Sequence, residues 1–443
     1  MGTPFESIRG DGRFRLIAEL ADLFGVQAFL VGGGLRDAVM GRAVRDYDFA
    51  LSGAEEELPT ELARRIGGHF FRLDRERRQS RVVTSAEDGR FTLDFAPIRG
   101  RDLVEDLTLR DFTVNSLALP VTKDISPLVD PLDGMKDIVE GRIRVCGERS
   151  FDDDPLRLLR AVRFAATLGF GIDGGTWAEM VRRPHLLAGV AGERVREELF
   201  FILEAPGIAP SLEMLGNSGL LDMIIPLDCH MEEPFGDCGE RIVRAAEVER
   251  MMENLYLHFP DDGKELADHL QRRIEGGISL SSLIKLAAFL AGEEAERRIV
   301  LSRDRLRLGT KAGSELQSLC RCSSSFPPAV TERSGNRVLF RFFRDREPAG
   351  PELLVLPLAN NAISPGLAVR LVSYYFHSYR PAEGDLLLTG NQVMALLGIG
   401  QGPALGGILE ALREAEGSGH VTTEAEARDF LLKKQLTKEE PMG

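Results

Sequence analysis

Residues 29–51 read FLVGGGLRDAVMGRAVRDYDFAL, and this stretch decides how the N-terminal part of the chain folds. Residues 29–31 form a short apolar run next to turn residues, which predicts a buried strand. Three glycines follow and predict a tight turn, with a helix that begins near Leu35. Residues 46–51 alternate polar and apolar side chains. This alternation predicts a second strand, with one polar and one apolar face.

The second strand carries two acids on its polar face. Asp46 and Asp48 are two residues apart, so both carboxylates project from the face opposite Tyr47. Such a pair repels by roughly a kcal/mol or more unless a cation lies between the two charges. Asp94 adds a third acid in another strand-like segment, residues 91–98. Oxygen-only ligands suit Mg²⁺, so we expect a two-metal phosphoryl-transfer site with these three acids as catalytic residues and Asp46 and Asp48 as the metal ligands.

The glycines between the two strands indicate a phosphate site beside the acids. Gly32 and Gly33 let the backbone approach a ligand closely, and the N-terminus of the following helix offers free N–H groups to phosphate. A double glycine after a strand is, taken alone, also the pattern of an ordinary turn. The prediction of a phosphoryl-transfer site therefore depends on the glycines and the acids together.

Composition and charge bound the range of functions. The 443 residues suffice for two or more domains, and the net charge of −14 argues against indiscriminate binding of polyanions. Local basic stripes can still bind RNA, although solvated helix faces give the same pattern. Two such clusters occur, at Arg72, Arg75, Arg77, Arg78 and Arg81 and at Arg157, Arg160 and Arg163.

The chain lacks the sequence features of membrane and secreted proteins. Its longest apolar runs fall short of the about 20 residues that span a bilayer, and its first residues have neither a basic nor an apolar signal region. Five cysteines are an odd number, which fits a reducing cytoplasm better than a disulfide framework. We therefore expect a cytoplasmic location. Cys229, His230 and Cys238 match no standard zinc spacing, so structural thiols are expected there.

The secondary-structure signals divide the chain into two parts. Residues 81–84 and 91–98 predict further strands, whereas from about residue 150 strand signals nearly vanish. Long helical patterns then dominate, as at 154–168, 193–204 and 279–291. We therefore expect an α+β fold in which a β-containing head precedes an all-helical remainder.

Ordered motifs resemble those of the class II CCA-adding enzyme and poly(A) polymerase family. LVGGGLRDAVMGRAVRDYDFAL resembles its first signature, and four more follow in the family's order, together with a C-terminal helical segment at 386–430. These four are RDFTVNSLAL (110–119), DPLDGMKDI (130–138), DDPLRLLRAVRFAATLGF (153–170) and ERVREEL (193–199). The resemblance implies a polymerase-β-like nucleotidyltransferase head at 1–140, a helical neck at 141–204, a helical body at 205–345 and a helical tail at 346–443.

The resemblance also implies roles for particular residues. Gly32, Gly33 and Arg36 would border a nucleotide triphosphate, Asp46 and Asp48 would be the metal ligands, and Asp94 would align with the family's third carboxylate. Arg110 and Asn115 would contact the nucleotide's sugar and phosphates. Without the motif, Asn115 is equally explained as a cap at the end of a strand or helix.

A pair of charged residues in the fourth motif is expected to select the base. Asp154 and Arg157 are three residues apart, and Pro155 fits only in a first turn, which predicts a helix that begins at about Asp153 or Asp154. By spacing alone the pair is a local salt bridge at a helix start. The resemblance to the family implies a different role. The two side chains would take the place of a Watson–Crick partner for an incoming C or A and would reject U and G. Arg160 would also reach the nucleotide, whereas Arg163 would be structural.

Departures from the family pattern narrow the expected reaction. Only FAPIRGRDLVEDLTL separates Asp94 from Arg110, where many relatives carry a flexible loop associated with switching from C to A, and Leu109 stands where members often have a second arginine. The short segment favours a CC-adding enzyme, and the expected partners are tRNA with CTP, ATP or both. A poly(A) polymerase or an A-adding enzyme is the alternative, and an inactive RNA-binding relative is the second.

The helical body resembles a metal-dependent His-Asp phosphohydrolase domain that has lost its metal ligands. Residues 283–298 resemble its core helix, but Ala291 and Gly292 stand in place of the His-Asp pair. Asp268 and His269 occur in the reverse order and are expected on a solvated helix face. We therefore expect no phosphohydrolase activity.

Overall fold

A computed structural model of the chain describes residues 5, 8, 10–86, 89–123, 126–225, 238–292, 294–380, 384 and 386–436. The chain folds into two compact units, the first formed by Met1–Val190 with Asn217–Met223 and the second by Ala191–Gly216 with Ile224–Gly443. The predicted α+β class is confirmed, because the main sheet lies in the first unit. The four predicted domain boundaries stay proposals.

Within the described part of the first unit, six strands form one mixed sheet in the order β3-β4-β5-β2-β1-β6. The strands are β1 (Ala28–Val31), β2 (Asp46–Leu51), β3 (His69–Asp74), β4 (Gln79–Ala86), β5 (Gly89–Pro97) and β6 (Ala118–Pro120). β2 runs parallel to β5, and every other neighbouring pair in this sheet is antiparallel. Two residues each of β7 (Arg142–Ile143) and β8 (Gly171–Ile172) form a separate parallel pair.

Helices of the first unit lie before and between the strands in the sequence and also follow the last strand of the main sheet. They are α1 (Gly12–Phe24), α2 (Gly32–Val39), α3 (Glu57–Ile66), α4 (Leu103–Thr108), α5 (Gly134–Val139), α6 (Ser150–Asp153), α7 (Arg157–Leu168) and α8 (Gly174–Arg182). Short 3₁₀ turns occur at Thr113–Asn115 and Pro184–Gly189.

The apolar face of β2 forms part of the core. Phe49 stacks on Phe95 of β5, with 5.0 Å between the ring centroids. Tyr47 and Phe49 border the same small gap as Phe14 and Ile17 of α1. Helix α1 therefore packs on the face of the sheet opposite Asp46 and Asp48, as the alternation in the sequence predicts.

Two predicted helix starts are wrong. Helix α2 begins at Gly32 and not near Leu35, so the glycines form its first turn rather than a preceding loop. Helix α7 begins at Arg157 and not at Asp153 or Asp154, because the short helix α6 ends first and Asp154 takes an extended conformation. The strands predicted at 81–84 and 91–98 are confirmed as β4 and β5.

The named elements from residue 191 onward are all helical in the described part of the chain. The α-helices are α9 (Gly192–Glu204), α10 (Ile208–Asn217), α11 (Leu220–Ile224), α12 (Cys238–Glu253), α13 (Leu255–His258), α14 (Gly263–Leu270), α15 (Leu280–Leu290), α16 (Ala295–Arg305), α17 (Thr310–Ser324), α18 (Asn336–Arg344), α19 (Val355–Ala359), α20 (Pro365–Tyr374), α21 (Gly390–Leu397), α22 (Pro403–Gly417) and α23 (Glu424–Leu436). The helices predicted at 193–204 and 279–291 correspond to α9 and α15.

The prediction for His269 is wrong. Its neighbour Asp268 is exposed, but His269 is buried in the second unit, and its Nε2 lies 2.6 Å from an Oε atom of the buried Glu352. The imidazole therefore belongs to a buried polar cluster and not to a solvated helix face. Ala291 ends helix α15, as its C-cap. The zinc alternative involves Cys229 and His230, which lie outside the described residues.

Helices long and apolar enough to cross a membrane are absent from the described residues.

Candidate active site

The sheet brings the three predicted acids together. In the parallel pairing of β2 with β5, Asp48 lies directly opposite Asp94, and Asp46 lies opposite Thr92. Residues that oppose each other in a sheet project from the same face. Asp46 and Asp48 are both exposed, and Asp94 is half-buried. The arrangement therefore presents three carboxylates on one solvent-accessible face of the first unit.

Burial and charge repulsion both act on Asp48. Desolvation by the surrounding protein, followed by repulsion from Asp94 and Asp46, raises the pKa of Asp48 to about 6, although Arg110 and Arg81 oppose the shift. The carboxylate nevertheless keeps solvent access, so a cation can reach it. A divalent cation would relieve this repulsion, and the carboxylate oxygens are the donors that Mg²⁺ prefers.

Asp94 differs from the other two acids because it already has a cationic partner. Arg81 Nε donates to one oxygen of Asp94 at 2.7 Å, and Arg81 Nη2 donates to the other at 2.8 Å. Among the described residues, no three His, Cys, Asp or Glu side chains are grouped as a ready-made metal site. Asp94 is therefore engaged by a guanidinium on both oxygens, whereas Asp46 and Asp48 are exposed carboxylates with the oxygen donors that Mg²⁺ prefers.

The start of helix α2 lies against the acids. At two positions in this turn only glycine fits, because a Cβ atom would collide with a neighbouring residue. A Cβ on Gly32 would lie 2.9 Å from Asp48 Oδ2, and the φ of Gly32 is +76°. A Cβ on Gly34 would lie 2.6 Å from the backbone oxygen of Asp46. The N-cap residue Val31 offers no side-chain cap, so the first N–H groups of the helix can receive an anion such as a phosphate.

Arg110 is held near Asp48 by a buried acid. Its guanidinium donates to Asp106 of α4, with Nη2 to Oδ2 at 2.9 Å. Arg99 donates to the other carboxylate oxygen of Asp106. Burial would raise the pKa of Asp106, but Arg110 and Arg99 hold it below its usual value. Asp106 is therefore ionised and fixes a guanidinium whose charge acts on Asp48.

A second buried acid links three of the predicted nucleotide-binding residues. Asp111 accepts from Asn115 Nδ2 at 3.0 Å and from Arg160 Nη2 at 2.5 Å. Asn115 Oδ1 in turn accepts from Arg36 Nη1 at 2.7 Å, and Arg36 lies over the ring of Phe164. Burial would raise the pKa of Asp111, but the Arg160 charge and its hydrogen bonds hold the pKa below its usual value. This network joins helix α2 to helix α7.

The predicted base-selecting pair lies at the start of helix α7. Arg157 Nη1 donates to Ser150 Oγ at 2.9 Å, and its Nη2 donates to the backbone oxygen of Leu109 at 2.8 Å. Asp154 precedes the helix, and its backbone oxygen accepts from the Arg157 N–H at 3.0 Å. The two residues are adjacent in space, but through a turn and not along one helix face. The guanidinium is oriented by the end of α4 and by α6.

Sequence reasoning missed several residues of this site. Gly34, Asp106 and Asp111 lie within or beside the quoted motifs, and their role follows from contacts that link distant segments. In the sequence, Arg81 stands out only as a member of a basic cluster. The sequence of β4, QSRVVTSA, does not alternate polar and apolar residues, so the face that carries Arg81 follows only from its pairing with Asp94.

Comparisons with known proteins match this architecture. The family described as poly A polymerase head domain matches residues 28–144, and a probable RNA and SrmB-binding site of polymerase A matches residues 169–227. The CC-adding tRNA nucleotidyltransferase of Geobacter sulfurreducens is 39% identical over 427 residues, which cover 96% of each chain. The chain belongs to the CCA-adding tRNA nucleotidyltransferase family. It is therefore an enzyme of that family.

Other members of the CCA-adding family show how widely the similarity extends. The CC-adding enzyme of Thermus thermophilus and the A-adding enzyme of Deinococcus radiodurans are each 33% identical to this chain, over 91% of it and 93% and 94% of theirs. A solved CCA-adding enzyme with ATP has a TM-score of 0.68 at 22% identity, covering 98% of this chain and 97% of its own. The Thermotoga maritima CCA-adding enzyme complexed with tRNA has a TM-score of 0.61 at 24% identity, with 95% and 94% covered. These two structures support the fold.

We expect Gly34→Ala to disturb both stability and the acid pair in this family member. The added Cβ would collide with the backbone oxygen of Asp46, so β2 and α2 must separate. Overpacking of this kind lowers the free energy of unfolding by about 1–3 kcal/mol. Urea unfolding of the full chain measures this loss. Gly33→Ala is the matched control, because its Cβ would meet only the Arg36 guanidinium, at 3.4 Å. Equal unfolding free energies for the two variants would contradict the packing argument.

Proposed function

We propose that this protein transfers CMP from CTP to the 3′-hydroxyl of tRNA and adds the two cytidines of the CCA end. The observation that carries the choice of CC addition is the short connection between Asp94 and Arg110. The end of β5 and helix α4 occupy it, so the connection is largely ordered secondary structure. The CC-adding relatives at 39% and 33% identity support the same assignment.

Asp46 and Asp48 are the proposed ligands of Mg²⁺. When bound, the metal ions would lower the pKa of the attacking hydroxyl and stabilise the charge on the leaving pyrophosphate. Asp46 and Asp48 hold their carboxylates on one face of β2, where the 3′-end of the RNA and the α-phosphate of CTP can meet. Asp94 is the proposed third catalytic acid, one strand away from Asp48.

The triphosphate is proposed to lie against the start of helix α2. Gly32 and Gly33 present backbone N–H groups there, and Arg110 supplies a guanidinium that Asp106 holds in place. Arg36 and Asn115, joined by a hydrogen bond, are proposed to line the site next to the triphosphate. The nucleotide's sugar and phosphates would therefore meet a surface whose polar groups are already oriented by buried partners.

Base selection is proposed for Asp154 and Arg157, with Arg160 at their side. A carboxylate accepts from the exocyclic amine of C, and a guanidinium donates to its ring acceptors, whereas U presents the opposite pattern. Arg157 is held by Ser150 and by the Leu109 backbone, so its donors have a fixed direction. The same pair also accepts A, so the selection of C over A rests on the short connection and not on this pair.

The alternatives use the same active site. An A-adding relative is 33% identical to this chain, so overall similarity does not separate C addition from A addition. Poly(A) synthesis would need the same acids as well. An inactive RNA-binding relative is disfavoured because Asp46, Asp48 and Asp94 are all present and share one face of the sheet. The helical parts proposed at 141–204, 205–345 and 346–443 would bind the tRNA by its shape. We propose a cytoplasmic location.

The direct test supplies tRNA that ends at the discriminator base, with CTP and ATP separately and together. We expect two cytidines from CTP and no further product when ATP is added, as resolved on a sequencing gel. Asp46→Asn should lose transfer of any nucleotide, because the remaining acids cannot hold the metal pair. Asp22→Asn, at an exposed acid on α1, is the control and should retain activity.

Each other product has a defined meaning. If adenosine is added after the two cytidines, the enzyme synthesises the complete CCA end and the assignment to CC addition is wrong. A long A tail would indicate a poly(A) polymerase. If pyrophosphate is released from neither nucleotide by the wild-type protein with tRNA and Mg²⁺, the enzyme is not active in this reaction and the proposal fails.

We expect Arg157→Ala to relax base choice more than it slows transfer. Loss of one bidentate base contact should reduce the CTP-over-UTP ratio of kcat/KM by about tenfold to a hundredfold. Arg163→Ala is the matched control on the same helix, where the guanidinium packs over Phe164, 4.4 Å from the ring centroid. Equal losses with CTP and UTP in the Arg157 variant would contradict the base-selecting role.

A further inference from the structure

Arg81 stands in the same row of the sheet as the proposed catalytic acids. The register places Arg81 of β4 opposite Asp94 of β5, and Asp94 opposite Asp48 of β2. Adjacent strands are about 4.8 Å apart, and opposed residues share a face. The row therefore presents a guanidinium, a carboxylate and a second carboxylate across three neighbouring strands.

The contact between Arg81 and Asp94 uses the whole carboxylate. Two hydrogen bonds of 2.7 and 2.8 Å join the guanidinium to both oxygens, in the bidentate geometry that fixes an arginine and an acid relative to each other. The guanidinium is permanently charged, as arginine side chains are in proteins. The guanidinium takes one acceptor direction on each oxygen, so a metal ion that approaches Asp94 from the same side must displace it.

The pair is nevertheless open to exchange. The side chains of Arg81 and Asp94 are 41% and 29% exposed, and ion pairs with this much solvent contact add little net stability. A divalent cation carries twice the charge of a guanidinium, and Asp48, directly opposite Asp94 in the sheet, offers it a second carboxylate. Arg81 and a divalent cation are therefore competing counter-charges for Asp94.

We propose that Arg81 is a positioning residue that holds Asp94 away from the metal ions until the site is loaded, when the cation takes its place. The inference rests on the proposed metal-binding function of Asp46 and Asp48. It makes Arg81 a determinant of how tightly the free enzyme binds metal. Arg81 must act on metal affinity through its contact with Asp94. A general effect of its positive charge would instead persist when Asp94 is replaced.

Arg72 provides a matched control on the neighbouring strand. It forms an equally exposed ion pair with Glu56, but in the register of β3 it lies opposite Ser80, which itself opposes Phe95 in the core. Arg72 therefore lies on the other face of the sheet. Removal of its charge changes the net charge as much as removal of Arg81, without freeing Asp94.

The test measures Mn²⁺ binding to the full-length, nucleotide-free protein by calorimetry and by electron paramagnetic resonance. Arg81→Gln should tighten Mn²⁺ binding by roughly tenfold, as expected for the loss of one competing charge a few ångströms away. Arg81→Lys should give a smaller gain, because a lysine keeps the charge but loses the bidentate contact. Arg72→Gln should leave the affinity at its wild-type value.

The double variant decides whether Asp94 carries the effect. In an Asp94→Asn background, Arg81→Gln should no longer tighten Mn²⁺ binding. An unchanged affinity in Arg81→Gln alone would overturn the proposal, as would the same gain in the Asp94→Asn background or in Arg72→Gln. Asp46→Asn reports separately on the metal site. If Asp46→Asn binds Mn²⁺ as well as the wild type, the metal site itself is wrong; if it loses binding while Arg81→Gln matches the wild type, only the role of Arg81 fails.

Discussion

The carboxylates of Asp46, Asp48 and Asp94 share one face of a sheet, and their mutual repulsion must be balanced by positive charge. The surrounding structure supplies that charge from several directions. Arg81 pairs with Asp94 across the strands, and Arg110 is fixed by a buried acid so that its charge reaches Asp48. The N-terminus of helix α2 contributes partial positive charge at the same point. A site organised in this way is prepared for cations and for the phosphates that accompany them.

A buried network ties this acidic face to the helix proposed to select the base. Asp111 binds Asn115 and Arg160, and Arg36 extends the chain of hydrogen bonds to helix α2. Because Asp111 is buried, loss of Arg160 would leave its charge unpaired in the interior, and loss of Asn115 would remove one of its hydrogen bonds. The network thereby links helix α7, proposed to select the base, to helix α2, which borders the proposed metal ligands.

Local patterns in the sequence predicted the parts of this site that depend on local geometry. Alternation in β2 placed Asp46 and Asp48 on the polar face, and the apolar runs located the strands. The pairing of β5 with β4 joins residues such as Asp94 and Arg81 by long-range register, which no local period encodes. The start of α7 at Arg157 was missed because Pro155 fits a turn as well as a first helical turn. Burial of His269 depends on Glu352, 83 residues away.

The central claim is that Asp46 and Asp48 jointly hold the divalent metal of a nucleotidyltransferase. Anomalous diffraction from crystals grown with Mn²⁺ and CTP tests it most directly. We expect a Mn²⁺ peak within about 2.3 Å of oxygens from both Asp46 and Asp48, the range of metal–carboxylate distances, with the triphosphate at the start of helix α2. CTP bound in that place with Mn²⁺ coordinated by neither acid would contradict it.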